Sequence, residues 1–560
     1  MNSPTPAIVA QAAVRRLPRL ALLLFCLAYV LPGFIGRDPW RNADMQGFGY
    51  MYELARGATD WFRPEILGFA PEFDALLPYW LGAWAIQATA GWLAPDVAVR
   101  LPAIGWLALT LAATWYATYH LARTPRAQPV PFAFGGEADP TDYARALADA
   151  GLLALVACLG LAQFSHETTP SGAQLGLAAL AFYGLAALGR PRAWPPLALA
   201  LGLAGLALSG GPTLAVLFGA TGAAVLALQA REGGEATPAA RASLVAAAIT
   251  VGVAVLASAL DLWRLRLDLA DSAAGWRGLV RLVAWFTWPV WPLALWTTWR
   301  WRRQLASPHV ALPLALAGLS LASALTTPNA DRSLLLALPA LAALAAFALP
   351  TLRRSVSALI DWFTLLFFSG IALVIWVVWI SLQTGVPAKP AANVARLAVG
   401  FEPSFSLPAF LAALAGTLAW AALVRWRAGR HRAALWKSLV LPAAGAALCW
   451  LLLMTLWLPV LDYARSYVPG VRAVLRATGP EPGCVEVGAL TRGQMTALAY
   501  HGNLALRPAG PQPVCAWRVT AAQLASSTAS ELRMDRWELV STIRRPSDPR
   551  ENLRVWRKRP

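Results

Sequence analysis

The residues best suited to chemistry follow the first apolar run, in the stretch D-P-W-R-N-A-D that begins at Asp38 and ends at Asp44. If that run crosses a membrane, a carboxylate here lies at the depth of lipid headgroups. Transfer of a sugar from a polyprenyl phosphate needs a base for the acceptor proton and charge stabilisation for the leaving phosphate, through an oxocarbenium-like transition state. An aspartate at this depth, with an arginine such as Arg41 nearby, fits these needs.

The surrounding loop, residues 36–99, holds more acids, and their simplest role is to solvate the surface. For any single acid that interpretation is the better one, whereas the spacing of Asp38 and Asp44 around Arg41 favours chemistry. The acids of the loop are Asp38, Asp44, Glu53, Asp60, Glu65, Glu72, Asp74 and Asp96.

The elements that must position these residues are strongly apolar. Hydrophobic residues make up 58% of the 560 residues, charged residues make up 14%, and the mean hydropathy is +0.52. A soluble chain has about 45–50% apolar and about 25% charged residues. So much apolar surface cannot be buried in a soluble globule of this size, and the sequence therefore predicts a polytopic α-helical membrane protein.

The basic residues indicate orientation rather than a nucleic-acid partner. Lysine and arginine number 47 and aspartate and glutamate 29, which gives a formal net charge of +18. The basic residues stand in short clusters between apolar runs, as in the cytoplasmic loops of membrane proteins. No polar segment carries a basic stripe interleaved with aromatic residues, so nucleic-acid binding is not expected.

The apolar runs predict about thirteen membrane spans of roughly 17–25 residues. With every basic cluster in the cytoplasm, the N-terminus is cytoplasmic and the C-terminus extracytoplasmic, in a bacterial-type inner membrane. The predicted spans are 17–35, 100–122, 149–164, 173–188, 195–210, 212–229, 242–262, 278–298, 309–325, 332–349, 356–382, 405–425 and 437–459.

Two connections need separate treatment. The first loop, 36–99, is predicted to be extracytoplasmic. Its apolar part 76–93 is predicted to lie in the membrane interface, because a span there would move the later basic clusters outside. The Pro- and Gly-rich segment 127–147 is predicted to be a cytoplasmic loop.

The long apolar runs stop near residue 460, which divides the chain into a transmembrane domain, 1–460, and a small extracytoplasmic α+β domain, 461–560. Short alternating pieces at 483–487 and 537–543 predict strands. Cys484 and Cys515 lie in this polar part and are predicted to form a disulfide on the oxidising side. The other cysteines, within apolar runs, are expected to be small core residues.

The order of short motifs resembles that of the polyprenyl-phosphate-dependent GT-C glycosyltransferases, in the group of the lipid A 4-amino-4-deoxy-L-arabinose transferase and the protein O-mannosyltransferases. The resemblance covers most of residues 17–350. The motifs are D-P-W-R-N-A-D at 38–44, Asp60-Trp61, L-P-Y-W-L at 77–81, V-R-L-P at 99–102, S-G-G-P at 209–212 and Asp331-Arg332 before the apolar stretch 334–339.

This resemblance implies transfer of a sugar from a polyprenyl-phosphate donor to an extracytoplasmic acceptor, which could be lipid A, a glycan or a protein. It implies that Asp38 is the catalytic aspartate of the first loop, with Asp44 and Arg41 as its motif partners. It also implies that Arg332, together with Arg41, binds the phosphate of the donor, because the planar guanidinium suits that group.

The sequence departs from the family pattern at two positions. Asp74, near Glu72, stands where the family has a phosphate-binding lysine, and Ser171 stands where an acid is expected. Both acids, Glu72 and Asp74, remain candidate accessory residues. The departures keep open a relative that binds a glycolipid without catalysis.

A divalent metal ion is the one cofactor that the resemblance leaves open. The loop 263–277 has no histidine, so a site made of a first-loop glutamate and a histidine from that loop has no support. His166 and Glu167 offer another ligand pair or an acid–base pair, and a simple polar pair at the membrane interface is the alternative.

A transporter or lipid flippase with a similar number of spans is the main alternative function. Ion-coupled transport usually needs ionisable residues at the middle of the membrane. The predicted spans contain few of them. The sugar and the acceptor are not determined by the sequence.

Overall fold

The computed structural model is 67% helical and ends in a small sheet domain. The residues that it describes are 5–72, 74–190, 192–232, 236–263, 272–327, 330–429, 434–523, 534–545 and 548–559.

Within the described residues, twenty α-helices precede the C-terminal part, and each of the predicted spans contains a helix. Their bounds are α1 Arg19–Val30, α2 Ala43–Ala55, α3 Leu77–Ala88, α4 Pro95–Ala98, α5 Arg100–Ala122, α6 Pro140–Ala157, α7 Leu161–Phe164, α8 Pro170–Ala187, α9 Trp194–Leu208, α10 Pro212–Glu232, α11 Ala236–Ala259, α12 Ala273–Phe286, α13 Val290–Arg300, α14 Pro308–Leu325, α15 Ala330–Ser333, α16 Leu338–Ala348, α17 Arg354–Thr384, α18 Ala388–Leu397, α19 Leu407–Ala428 and α20 Lys437–Leu453.

In the described part of the chain, seven helices are long and apolar enough to cross a membrane, or nine if each of two bent pairs counts as one span. The polytopic helical fold is therefore confirmed, whereas the count of thirteen spans is not. Helices α1 and α9 are apolar but have only 12 and 15 residues. Helix α3, within the predicted interfacial segment 76–93, is not among the candidate spans.

Two predicted spans are bent. Helices α12 and α13 meet at 86°, around Pro289, which cannot donate a backbone hydrogen bond and disfavours a continuous helix. Helix α20 and the following α21, Leu458–Arg465, meet at 69°. This second bend turns α21 aside, and its last turn meets the first loop, where the Arg41 N–H donates to the Arg465 carbonyl at 2.9 Å.

Helix α6 begins well before the predicted span 149–164, so the prediction of a loop over 127–147 is wrong from residue 140 onward. The Asp139 side chain caps the helix by accepting from the N–H groups of Thr141 and Asp142, and Pro140 stands at the first helical position. The cap and the proline start the helix in a polar stretch, which a count of apolar residues does not detect.

The C-terminal part is an α+β domain, as predicted. After α21 come α22 Val468–Thr478, β1 Cys484–Gly488, α23 Arg492–Tyr500, β2 Ala505–Pro508, β3 Trp517–Ala521, β4 Trp537–Ile543 and β5 Leu553–Lys558. The sheet order is β2-β1-β3-β5-β4. Strand β1 pairs in parallel with β2 and β3, and β5 pairs antiparallel with β3 and β4. Cys484 and Cys515 form a disulfide, with an S–S distance of 2.02 Å.

The first loop and the C-terminal domain share one hydrophobic core. Met45 and Phe48 of α2 are buried with Val485 of β1 and Leu498 of α23. Gly49 permits this close approach, because a Cβ there would come within 2.2 Å of a side-chain atom of α23. The C-terminal domain is thus packed against the loop that carries the predicted catalytic residues.

Candidate functional site

The first loop starts with a turn held by two buried arginines. The chain turns at Gly33, whose φ of +95° is a conformation that side chains disfavour. Arg37 donates from Nε to the Gly33 carbonyl at 2.6 Å. Arg100, the first residue of α5, donates from Nη1 to the Phe34 carbonyl at 2.8 Å. These bonds fix the backbone just before Asp38.

Asp44, in the first turn of α2, is buried and accepts four hydrogen bonds. Its Oδ2 accepts from Arg37 Nη1 at 2.6 Å and from the Trp40 N–H at 3.0 Å. Its Oδ1 accepts from the N–H and the hydroxyl of Thr168, at 2.7 and 2.6 Å. Burial alone would raise the pKa of Asp44, but Arg37 and the Thr168 and Trp40 donors outweigh it, so the pKa lies below its ordinary value.

These contacts hold the Asp44 side chain, for which the sequence predicts a catalytic role, in one place. Both carboxylate oxygens are occupied, and the side chain is only 2% exposed. Thr168 belongs to the second loop, between α7 and α8, so the Asp44 side chain ties the first loop to the second.

Asp38 is half-buried and lies against the end of α21. Its Oδ2 accepts from the Ser466 hydroxyl at 2.8 Å, and its N–H donates to Asp462 Oδ1 at 2.9 Å. Trp40 Nε1 donates to the same Asp462 oxygen at 2.9 Å. The pKa of Asp462 is raised to about 6, mainly by burial and secondly by the negative charge of Asp38.

Arg41, a predicted phosphate ligand, pairs with acids of the C-terminal domain. Its Nη1 is 3.3 Å from Glu551 Oε2 and 3.6 Å from Asp548 Oδ2, both in the C-terminal domain. The predicted phosphate-binding charge is therefore offset by two acids that stand just before β5.

Arg332 pairs with Glu167 of the second loop. Its Nη2 and Nε donate to Glu167 Oε2 at 2.9 and 3.1 Å, and its guanidinium lies 5.3 Å from the centre of the Phe164 ring. Burial raises the pKa of Glu167 to about 7, with Arg332 acting in the opposite direction and Asp44 adding to the rise. Glu167 can thus gain or lose a proton near neutral pH.

His166 and Glu167 do not act on the same partners. The His166 ring is buried, with Nε2 3.2 Å from the carbonyl oxygens of Tyr29 and Val30 at the end of α1. It also packs against Trp450, with ring centroids 4.7 Å apart. His166 therefore joins α1 to the second loop, whereas the Glu167 side chain contacts Arg332.

Glu72 and Asp74 lie in separate surroundings, and Glu72 pairs with Arg492 of α23. Glu72 Oε1 is 3.0 Å from Arg492 Nη1, and the Glu72 side chain is 54% exposed. Asp74 is half-buried next to the turn between α9 and α10, where a Cβ on Gly210 would stand 3.3 Å from the Asp74 carbonyl oxygen.

Over the described ranges, no group of three or more His, Cys, Asp or Glu side chains is arranged to hold a metal ion. Most of the loop 263–277, which the sequence analysis considers for a metal site, lies outside the described residues, at 264–271.

The charged residues of the two loops and their partners, described above, are called the cluster: Arg37, Asp38, Arg41, Asp44, Glu167 and Arg332. Two residues of α21 also belong to it, although the sequence analysis does not single them out. Asp462 binds the backbone of Asp38, and Arg465 lies over the Trp40 ring, 4.9 Å from its centroid. The available signal was their position directly after the last apolar run, which mirrors the position of Asp38 after the first.

A cavity of about 220 Å³ adjoins this cluster, between the C-terminal domain, α21, α22 and the segment after α18. Ser466 lines the cavity, and its hydroxyl donates to Asp38, the predicted catalytic aspartate. Three arginines and one acid contribute charge to the lining, namely Arg476, Arg544, Arg545 and Glu551.

No family profile matches the chain, and neither does any curated protein. Among the solved structures that match, two cover 96% of this chain and 96% of their own, each with a TM-score of 0.58. One is ArnT from Cupriavidus metallidurans bound to undecaprenyl phosphate, at 15% identity, and the other is the same protein in the apo state, at 16% identity. ArnT is the lipid A 4-amino-4-deoxy-L-arabinose transferase, so the chain has the GT-C fold that the sequence resemblance implies.

Proposed function

We propose that this protein is a membrane glycosyltransferase that moves a sugar from a polyprenyl-phosphate donor to an extracytoplasmic acceptor such as lipid A, a glycan or a protein. We further propose that it resides in a bacterial-type inner membrane, with the N-terminus in the cytoplasm and the C-terminal domain outside. The fold shared with ArnT, whose structure holds undecaprenyl phosphate, supports the class of donor.

The main observation behind the proposal is that the buried carboxylate of Asp44 connects the first loop to the second. Asp44 accepts from Thr168, and Glu167 beside it accepts from Arg332. The first loop with Asp38 and the second loop with its arginine partner therefore meet at one end of the helices. This supports a site in which a carboxylate and a phosphate-binding arginine act together.

In the proposed reaction, Asp38 acts as the general base. Its Oδ2 is bonded to Ser466, and within the described residues its Oδ1 accepts no hydrogen bond, so that oxygen can take the proton of an acceptor hydroxyl. The acceptor oxygen forms a bond to the anomeric carbon as the bond from that carbon to the phosphate oxygen breaks. The polyprenyl phosphate leaves with the electron pair, and the proton stays on Asp38.

Arg332 is proposed to bind the donor phosphate, as the sequence predicts. It is paired with Glu167, whose pKa lies at about 7, and a phosphate can replace this carboxylate when Glu167 takes up a proton. The exchange keeps the buried charge balanced, because the guanidinium always faces one anion.

The test is the pool of lipid-linked sugars in a strain that lacks the protein. We expect one polyprenyl-phosphate sugar to accumulate, and purified wild-type protein in nanodiscs to consume it when an envelope extract supplies the acceptor. No accumulating lipid-linked sugar, together with movement of an intact lipid across proteoliposomes, would favour a flippase and contradict the proposal.

A further inference from the structure

Arg465 is the last residue of α21. Among the described residues it has no acidic partner, unlike the other arginines of the cluster. Within the described residues, its guanidinium has neither an ion pair nor a hydrogen bond, and lies 4.9 Å from the centre of the Trp40 ring. Each of the other arginines has a guanidinium nitrogen close to a carboxylate oxygen. The N···O distance is 2.6 Å from Arg37 to Asp44, 3.3 Å from Arg41 to Glu551 and 2.9 Å from Arg332 to Glu167.

The environment of Arg465 favours an added anion. The side chain is partly removed from water, and burial lowers the pKa of Arg465. The positive charges of Arg41 and Arg37 lower it further, against the opposing effect of Glu167. The contact with the Trp40 ring is a cation–π attraction that brings no negative charge, so Trp40 does not replace a counter-charge. An anion bound here would offset both the burial and the repulsion between arginines.

The backbone around Arg465 is held in place. The Arg41 N–H donates to the Arg465 carbonyl at 2.9 Å. The next carbonyl, that of Ser466, accepts from Arg545 Nη2 at 3.0 Å. The Ser466 hydroxyl in turn donates to Asp38. An arginine that needs an anion thus stands one residue from the group that orients the proposed base.

We propose that Arg465 forms a phosphate-binding subsite beside Asp38 and is a binding residue for the phosphate of the substrate. This inference rests on the proposed function and identifies a residue that the sequence motifs do not contain. Arginine suits this role because its planar fork can donate two parallel hydrogen bonds to one phosphate. The phosphate can belong to a polyprenyl lipid or be free in solution, since both present the same oxygen atoms.

The experiment measures ligand affinity of the full-length protein in nanodiscs, with undecaprenyl phosphate, undecaprenol and inorganic phosphate as probes. The variants are Arg465→Gln, which removes the charge, and Arg465→Lys, which keeps the charge without the fork. Arg472→Gln, at an exposed arginine of α22, is the matched control.

We expect the wild type to bind undecaprenyl phosphate at least tenfold more tightly than undecaprenol. Arg465→Gln should remove most of that preference, Arg465→Lys should keep part of it, and Arg472→Gln should keep all of it. Equal loss of inorganic phosphate and lipid binding assigns the subsite to the phosphate group itself, and loss of inorganic phosphate binding alone assigns it to free phosphate.

In a folded Arg465→Gln protein, an unchanged lipid preference together with unchanged binding of inorganic phosphate would overturn the inference. A wild type that neither distinguishes undecaprenyl phosphate from undecaprenol nor binds inorganic phosphate would also overturn it. If Arg465→Gln does not fold, the Lys variant decides: full wild-type affinity for all three probes overturns the subsite. Because binding is measured without turnover, these results are separate from the transfer assay. Wild-type transfer with unchanged binding in Arg465→Gln refutes the subsite and leaves the proposed function standing.

Discussion

The carboxylates of the cluster differ in what their oxygens are free to do. Both carboxylate oxygens of Asp44 accept hydrogen bonds, and the donors are Arg37, Trp40 and Thr168. Asp38 and Glu167, in contrast, each have one oxygen that accepts no hydrogen bond among the described residues. Asp38, which has no ion pair among the described residues, is therefore the one whose substitution should alter the chemistry rather than the fold.

Asp38→Asn should abolish transfer while the protein remains folded. Asparagine keeps the shape and the bond from Ser466 but cannot accept a proton, and the loss of a general base costs roughly 10²–10⁴-fold in rate. The measurement is the rate of sugar transfer by purified protein, compared with Asp60→Asn in an exposed turn of the same loop. Transfer at a near wild-type rate by Asp38→Asn would refute the assignment.

Glu167 should make stability depend on pH. Its folded pKa of about 7 lies above the ordinary value of 4.5. Between these values the folded protein holds a proton that the unfolded chain has lost, so stability falls as pH rises from about 4.5 to about 7. Thermal unfolding in detergent should show this slope in the wild type. The slope should be smaller in Glu167→Gln, and an equal slope in both would contradict the pKa assignment.

At the scale of elements, the ion pair of Arg37 and Asp44 joins the first loop to the second. Both side chains are almost fully buried, at 3% and 2% exposed, and Arg37 also donates to the His166 carbonyl at 2.7 Å. These contacts of Arg37 and Asp44 therefore fix the relative positions of α1, α2 and the turn before α8. The exposed ion pair of Arg16 and Asp142 offers a comparison elsewhere in the same chain.

Asp44→Asn should destabilise the protein strongly, because it leaves Arg37 buried without a counter-charge. Removing one partner of a buried ion pair costs about 3–5 kcal/mol. Asp142→Asn, which breaks the pair whose arginine is 63% exposed, should cost about 0–1 kcal/mol. Thermal unfolding of the two variants provides the comparison. Equal shifts would show that the Arg37 pair does not join the loops as described.

At the scale of the whole molecule, the C-terminal domain is bound to the first loop through polar side chains. It supplies Glu551 to Arg41 and Arg492 to Glu72, and the Tyr500 hydroxyl donates to Asp96 at 2.9 Å. The first loop and this domain must therefore lie on the same side of the membrane.

Reporter fusions should confirm that shared side. A reporter that is active only outside the cytoplasm should give signal around Ala58 and after Pro469, and none after Arg354, because the basic clusters favour the cytoplasm. Signal at Ala58 without signal after Pro469 would contradict the contacts between the loop and the domain. Signal only after Arg354 would invert the orientation.

The sequence by itself determined the class of the protein and the place of most helices. Hydropathy is a local sum, so the apolar runs predicted a helix in every span, and the alternating pieces predicted β1 and β4. The order of motifs likewise indicated the GT-C fold. Local sums do not detect a bend such as the 86° angle between α12 and α13, or the polar start of α6.

Only the tertiary structure decided which charges meet. Asp38 accepts a hydrogen bond from Ser466, 428 residues away in the sequence, and Arg41 donates one to Glu551, 510 residues away. Nothing in the residues near Arg41 shows that its charge is offset, or that Arg465 has no acidic partner among the described residues. An ion pair depends on distance in space and on burial, and both arise when α21 turns at its bend and the C-terminal domain packs on the first loop.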